Sequence, residues 1–336
     1  MQTATNLPTR TADIITFCKS EWGLGLGGLT GPDLFPVQRF ILKAYYGEPL
    51  VDGGARDIVV RDKFNEAVLH QFNESEFLQW LVAEKRISTN DLSGHRNNLA
   101  LILGARGCKD TLMGLIVCYE LYKLLSMGTP QDYFKMYHQD VVLIPVLAND
   151  PQNTRNQFDR IVGHVARSPW LTGRRDGKGS VRAKRFWTEA DRRNAEVKRG
   201  SIMLYAASRS CDGLRGPNAP LCVLNGIGHM ASSAVWSANS DYAIRDALVP
   251  SLAMFRHPDG SPAGRMLMAS GPGTRKGLLY SEYQRSFSPV NGADLLMMNL
   301  PSWVANPCLP PGFLKSKYHR DPDLFKLEFG AEFPES

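Results

Sequence analysis

The residues whose types and spacing could do chemistry lie in the run LILGARGCKDTL: Gly104, Ala105, Arg106, Gly107, Cys108, Lys109, Asp110 and Thr111. A short apolar run leads into glycines, then a lysine, then a helical pattern. A chain that leaves a strand this way aims successive backbone N–H groups at one point. The helix N-terminus adds partial positive charge, and Lys109 adds a full one. Such a cradle suits a polyphosphate. The usual spacing is GxxxxGK[ST], in which the hydroxyl after the lysine binds Mg²⁺. Here Gly104 precedes Lys109 by five residues, Cys108 replaces the second glycine, and Asp110 replaces the Ser/Thr. The same run also fits a tight strand-to-helix turn with a solvated lysine.

Elements that would position this loop can be read on either side of it. NLALILG (98–104), DVVLIPVLA (140–148), SIMLYAAS (201–208), PLCVLN (220–225), RMLMAS (265–270) and ADLLMMNL (293–300) are β-type apolar runs. Helical spacing predicts helices over 111–125, from about 149 to 167, over 241–255 and over 277–287. Strands alternating with helices predict an α/β fold with a mainly parallel, twisted sheet and helices on both faces. Residues 1–50 read as a helical segment with a Gly-rich stretch, and a polar, helical stretch is expected on to about Asn97. The Pro-rich stretch 306–312 reads as a loop, and 321–333 as a closing helix. The expected organisation is an N-terminal segment (1–97), a core (98–305) and a C-terminal linker with closing helix (306–336).

In order along the chain, these segments resemble the ATPase domain of the large terminase subunit, the motor that packages DNA into viral capsids. That family carries deviant phosphate loops reading G-x-R-x-G-K-D, and GARGCKD departs from this only at Cys108. DLFPVQRFILKAYYG resembles its adenine-recognising element, which implies that Gln38 reads the base, with Phe35 or Arg39 packing nearby. LANDPQNTRNQF resembles the strand-end segment after the loop. In SCDGLRGPNAP, Arg215 resembles an arginine that reaches a neighbouring subunit's nucleotide. Arg106 is the alternative arginine finger, acting within its own subunit. Ser270, Gly271 and Pro272 occupy the coupling motif. The resemblance implies a P-loop NTPase fold, ATP and Mg²⁺ as cofactors, and Asp110, Thr111 and Asn225 as the nearest metal-shell residues. The implied partners are double-stranded DNA, the portal protein of a procapsid, a small terminase subunit and further copies in a ring. The implied location is the host cytoplasm, transiently on the procapsid.

One part of the pattern breaks. The family places an Asp-Glu pair after the apolar strand, where Asp holds the Mg²⁺ shell and Glu polarises the attacking water. Here those positions are Asn225 and Gly226, followed by His229 in register. Losing a positioned base costs roughly 10²–10⁴ in rate, so impaired hydrolysis is expected. Asp110, Asp150 and Asp212 are possible substitutes, and restoring both acids should raise turnover about tenfold. Alternative readings are an inactive nucleotide- or DNA-binding pseudo-ATPase and a helicase-like translocase. The terminase nuclease domain has no counterpart here, so no nuclease activity is expected.

Composition bounds these readings. The chain has 336 residues, is 43% hydrophobic, and carries no apolar run long enough to span a membrane. Its six cysteines lack CxxC spacing, which argues against a zinc site. The net charge is +6, and residues 174–199 alone hold ten Lys/Arg against four Asp/Glu. That surplus, with Arg174, Arg175, Lys184 and Arg185 as the named contacts, could face DNA phosphates. A solvated, mobile loop is the other reading.

Overall fold

A computed structural model describes residues 11–28, 31–93, 96–208, 210–230, 240–288 and 292–334. The polar start, Met1–Arg10, falls outside them. The elements before the main sheet are α1 (Ile14–Lys19), α2 (Pro36–Tyr46), β1 (Ile58–Arg61), β2 (Val68–Phe72) and α3 (Glu74–Ala83). Then come β3 (Asn98–Leu103), α4 (Lys109–Ser126), α5 (Pro130–Tyr133), β4 (Val142–Ala148), α6 (Pro151–Arg167) and α7 (Pro169–Thr172). They are followed by β5 (Ala183–Phe186), α8 (Glu189–Arg193), β6 (Ile202–Ala206), β7 (Leu221–Asn225), α9 (Asp241–Met254), β8 (Arg265–Ser270) and α10 (Leu278–Ser286). The chain closes with β9 (Leu295–Leu300), α11 (Ser302–Ala305), α12 (Pro311–Arg320) and α13 (Pro322–Glu328).

Seven strands form one sheet in the order β5-β6-β4-β7-β8-β3-β9. Every pairing in it is parallel except that of the edge strand β5 with β6. Side chains alternate across the sheet, so each central strand feeds two cores. Leu99, Leu101 and Leu103 join the core beneath α1, α2, α4 and α6, whereas Ala100 and Ile102 join the one beneath α9 and α10. Burial on both faces is why these strands read as continuous apolar runs. The core under α4 also takes Ile14, Phe17, Phe40 and Phe77. The N-terminal segment is therefore packed into the same body as the sheet.

Three sequence expectations need correction. The stretch before Asn97 is not wholly helical, because β1 and β2 pair as an antiparallel hairpin ahead of α3. Its turn is held by Asn65, whose backbone is left-handed and whose Nδ2 donates to the carbonyls of Pro307 and Leu309. The stretch 306–312 does not stay a loop: α12 starts at Pro311, where proline's fixed φ suits a helix's first turn. The closing helix stops at Glu328 rather than Phe333.

The basic segment is also ordered rather than a loose loop. It contributes β5 and α8, and Asp176 anchors it by pairing with Arg199 at 2.9 Å.

Candidate nucleotide-binding site

The loop between β3 and α4 has the backbone of an anion cradle. Gly104 leaves β3 where a Cβ would lie 2.4 Å from both the Phe329 carbonyl and the Ser302 hydroxyl, so no other residue fits there. Arg106 and Cys108 both adopt left-handed backbone, with φ of 65° and 62°. Alternation of this kind turns neighbouring N–H groups toward one side. Two loop amides are already used: Ala105 donates to the Glu328 carbonyl at 2.6 Å, and Gly107 to Gly104 at 2.9 Å. Among the described residues, the N–H groups of Arg106, Cys108, Lys109 and Asp110 donate to no backbone carbonyl. Asn306 braces the loop from outside by donating to the Arg106 carbonyl at 2.9 Å.

Two cavities flank this loop. The larger, about 810 Å³, opens beyond the C-terminal ends of β3, β4, β7 and β8, where open α/β sheets bind ligands. Ala105, Lys109, Asp110, Gln157, Asn225 and Glu328 are among its walls. The smaller, about 490 Å³, is lined by Phe35, Gln38, Cys108, Thr111, Arg160 and His164, among others. Arg160, on α6, lines both cavities and donates to the Thr111 hydroxyl at 3.4 Å.

Polar contacts fix the inner wall of the larger cavity. Gln157 Nε2 donates to the Asp110 carbonyl at 3.1 Å. Asn225 Nδ2 donates to Asp110 Oδ1 at 2.8 Å and to Gln157 Oε1 at 3.2 Å. Asn225 Oδ1 is buried and has no hydrogen-bond partner among the described residues. Gly226 follows with φ of 70°, and a Cβ there would meet Asn149 Oδ1 at 2.9 Å. Ser270 is wholly buried and accepts from Gly228 N–H at 3.0 Å. That bond ties the end of β8 to the turn after β7. Gly271 and Pro272, rather than Ser270, face the cavity. His229 lies on the same wall; burial depresses its pKa, Lys109 depresses it further, and Glu328 opposes them.

The remaining sequence-selected residues are placed as follows. Lys109 lines the larger cavity and makes no hydrogen bond or ion pair with the described residues. Thr111 lines only the smaller cavity, whereas Asp110 and Asn225 line the larger. Gln38 and Phe35 line that cavity too, with Gln38 Oε1 also accepting Phe35 N–H at 3.0 Å. Arg39 lines neither cavity. Its guanidinium pairs with Asp57 at 2.5 Å and Glu74 at 3.1 Å. Arg106 and Arg215 are exposed and outside both cavities. Asp150 caps α6, and Asp212 sits in the short turn at 211–214. Neither lines the larger cavity.

The named basic residues have partners of their own. Arg174 stacks on Trp170 at 3.7 Å, Lys184 donates to the Ser180 carbonyl at 3.0 Å, and Arg185 to that of Gly200 at 3.0 Å. Arg175 lies beside them, half-exposed, opposite Phe186.

Sequence reasoning missed Gln157, Arg160 and Glu328 as cavity residues. Gln157 carried a signal: it falls on the buried stripe Thr154, Gln157, Phe158, Ile161, Val165, where a polar residue needs a partner.

A mainly parallel sheet with a phosphate-loop cradle at its C-terminal edge defines a P-loop NTPase fold. The chain belongs to the family described as "Uncharacterized protein MJ0330, N-terminal P-loop domain", which matches residues 9–330. No curated protein matches it. Among solved structures, it is similar to the large terminase ATPase domain of Thermus phage P74-26, with a TM-score of 0.51 at 17% identity, over 71% of this chain and 90% of that one. It is also similar to the large terminase of bacteriophage HK97, with a TM-score of 0.52 at 12% identity, over 96% of this chain but only 55% of that one. The chain thus has the fold of phage terminase ATPase domains and spans about half of the HK97 protein.

Proposed function

We propose that this chain binds ATP with Mg²⁺ at the β3–α4 loop and is the ATPase domain of a viral DNA-packaging motor. The observation that carries the reading is that, among the described residues, the N–H groups of Arg106, Cys108, Lys109 and Asp110 donate to no backbone carbonyl and the Lys109 side chain makes no hydrogen bond or ion pair. Four convergent donors and a lysine match the charge of a phosphate chain. The triphosphate would lie along the larger cavity. Its base would enter the smaller one, near Gln38 and Phe35.

The residues fit a magnesium ion bound chiefly by phosphate oxygens and water. Mg²⁺ takes one or two carboxylates and keeps several waters, and Asp110 supplies one. Asn225 Oδ1 is a buried acceptor with no partner among the described residues, suited to a metal-bound water. Bound Mg²⁺ would neutralise charge on the transferred phosphoryl group. Lys109 would do the same from the helix end. Gln157 holds Asp110 and Asn225 in register.

In an assembled ring, the arginine finger would be either the exposed Arg215, reaching a neighbouring subunit's nucleotide, or the exposed Arg106, serving its own. The basic surface around β5 would meet double-stranded DNA. By the same reading, the portal of a procapsid and a small terminase subunit would be partners. Gly226 favours a second reading, a nucleotide-binding ring member that hydrolyses poorly.

Phosphate release, measured with and without duplex DNA, tests these readings. The motor reading expects DNA to stimulate turnover well above that of Lys109→Ala. Turnover equal to that variant, with nucleotide still bound, would leave the second reading. Strand separation without any capsid partner would point to a helicase-like translocase.

A further inference from the structure

The motor reading leaves one chemical role unfilled. A carboxylate that polarises water would follow β7, where Gly226 sits in left-handed backbone against Asn149. The carboxylates lining the larger cavity are Asp110, Asp159 and Glu328. Asp110 is held by Asn225. Asp159, exposed as Glu328 also is, lies on α6 and pairs with Arg155 at 3.7 Å. The Glu328 side chain makes no hydrogen bond or ion pair with the described residues.

Glu328 is nevertheless fixed in place. Its carbonyl accepts the Ala105 N–H at 2.6 Å, and the next carbonyl, of Phe329, accepts the Ser302 N–H at 2.7 Å. Phe325 and Phe329 anchor α13 in a small core with Leu309 and Leu314. The backbone at residue 328 is therefore tied to Ala105 of the phosphate loop, and Glu328, an exposed residue, lines the cavity. Lys109, His229 and Glu328 all line the larger cavity.

We propose that Glu328 is the catalytic carboxylate of this site, supplying from the C-terminal helix the base missing after β7. This rests on the nucleotide reading above. In the step, a water oxygen bonds to the γ-phosphorus and its proton passes to a Glu328 carboxylate oxygen. The bond from phosphorus to the β–γ bridging oxygen breaks, and its electron pair leaves on ADP. The proton then passes from Glu328 to the phosphate released.

The test separates side chain from backbone, because Glu328→Gln keeps the carbonyl that holds Ala105. Phosphate release and binding of a fluorescent ATP analogue are measured on the full chain, with Glu328→Gln, Glu328→Asp and Lys109→Ala. Glu328→Gln should lower kcat by about 100-fold or more, while KM and analogue affinity stay within about threefold. Glu328→Asp should recover part of kcat. A Glu328→Gln turnover within about threefold of wild type overturns the proposal. So does a wild type that binds the analogue yet releases phosphate no faster than Lys109→Ala. A wild type that fails to bind the analogue overturns the nucleotide reading itself, and the two failures are thereby told apart.

Discussion

Asn225 Nδ2 donates to Asp110 Oδ1 across 2.8 Å, joining the end of β7 to the first turn of α4. An amide at this position lets the site close without a cation, whereas a second carboxylate would repel the first. Asn225→Asp should therefore destabilise the metal-free protein at pH 7 by about 1–2 kcal/mol, as one carboxyl is forced to hold its proton. Mg²⁺ with nucleotide should remove that deficit. Melting temperatures in chelator and in Mg²⁺ with a non-hydrolysable ATP analogue check it, and a variant whose loss ignores the cation would contradict it.

Gly226→Glu should not restore hydrolysis, although the sequence by itself suggests a gain when it is combined with Asn225→Asp. At φ of 70° any side chain is strained, and its Cβ would press on Asn149 Oδ1 at 2.9 Å. The expected cost is about 1–3 kcal/mol. Chemical denaturation and phosphate release on the single variant test this, and a stable variant with raised turnover would refute it.

Cys108 holds a left-handed backbone, φ 62°, where terminases of the G-x-R-x-G-K-D type carry glycine. A non-glycine residue pays about 1–2 kcal/mol there, partly offset by the greater unfolded-state entropy of glycine. Cys108→Gly should be neutral to about 1 kcal/mol stabilising, and Cys108→Val clearly destabilising. Denaturant midpoints read the order, and the reverse order would show that the thiol itself holds the loop.

His164 makes stability sensitive to acid. Burial, with Arg167 and Arg160 nearby, pushes its pKa from 6.5 down to about 4. Between those values the folded chain holds fewer protons than the unfolded one. Stability is thus intact above pH 6.5 and falls as pH drops toward 4, by about 3 kcal/mol from this group. Melting curves across that range should be flatter for His164→Gln, and identical pH dependence would remove His164 as the cause.

The central strands were legible because β3, β4, β7, β8 and β9 are buried on both faces and so appear as unbroken apolar runs. The hairpin was not. In VLHQF the first four residues are exposed, so no buried face marks the strand. Prolines at 310 and 311 suggested a loop, yet Pro311 opens α12. At the site, local chemistry was readable and distance was not. Lys109 and Asp110 could be picked from the loop, but nothing in the sequence brings Glu328 to Ala105, more than 200 residues away. Arg39 shows the converse: adjacent to Gln38 in sequence, it faces Asp57 and Glu74 instead of the cavity.

The most direct measurement is calorimetric titration of the wild type and Lys109→Ala with Mg²⁺ and a non-hydrolysable ATP analogue. Binding at the β3–α4 loop predicts saturable uptake of one nucleotide per chain, weakened at least about tenfold, or 1.4 kcal/mol, by Lys109→Ala. Absence of heat in the wild type, or equal affinity in both proteins, would contradict it.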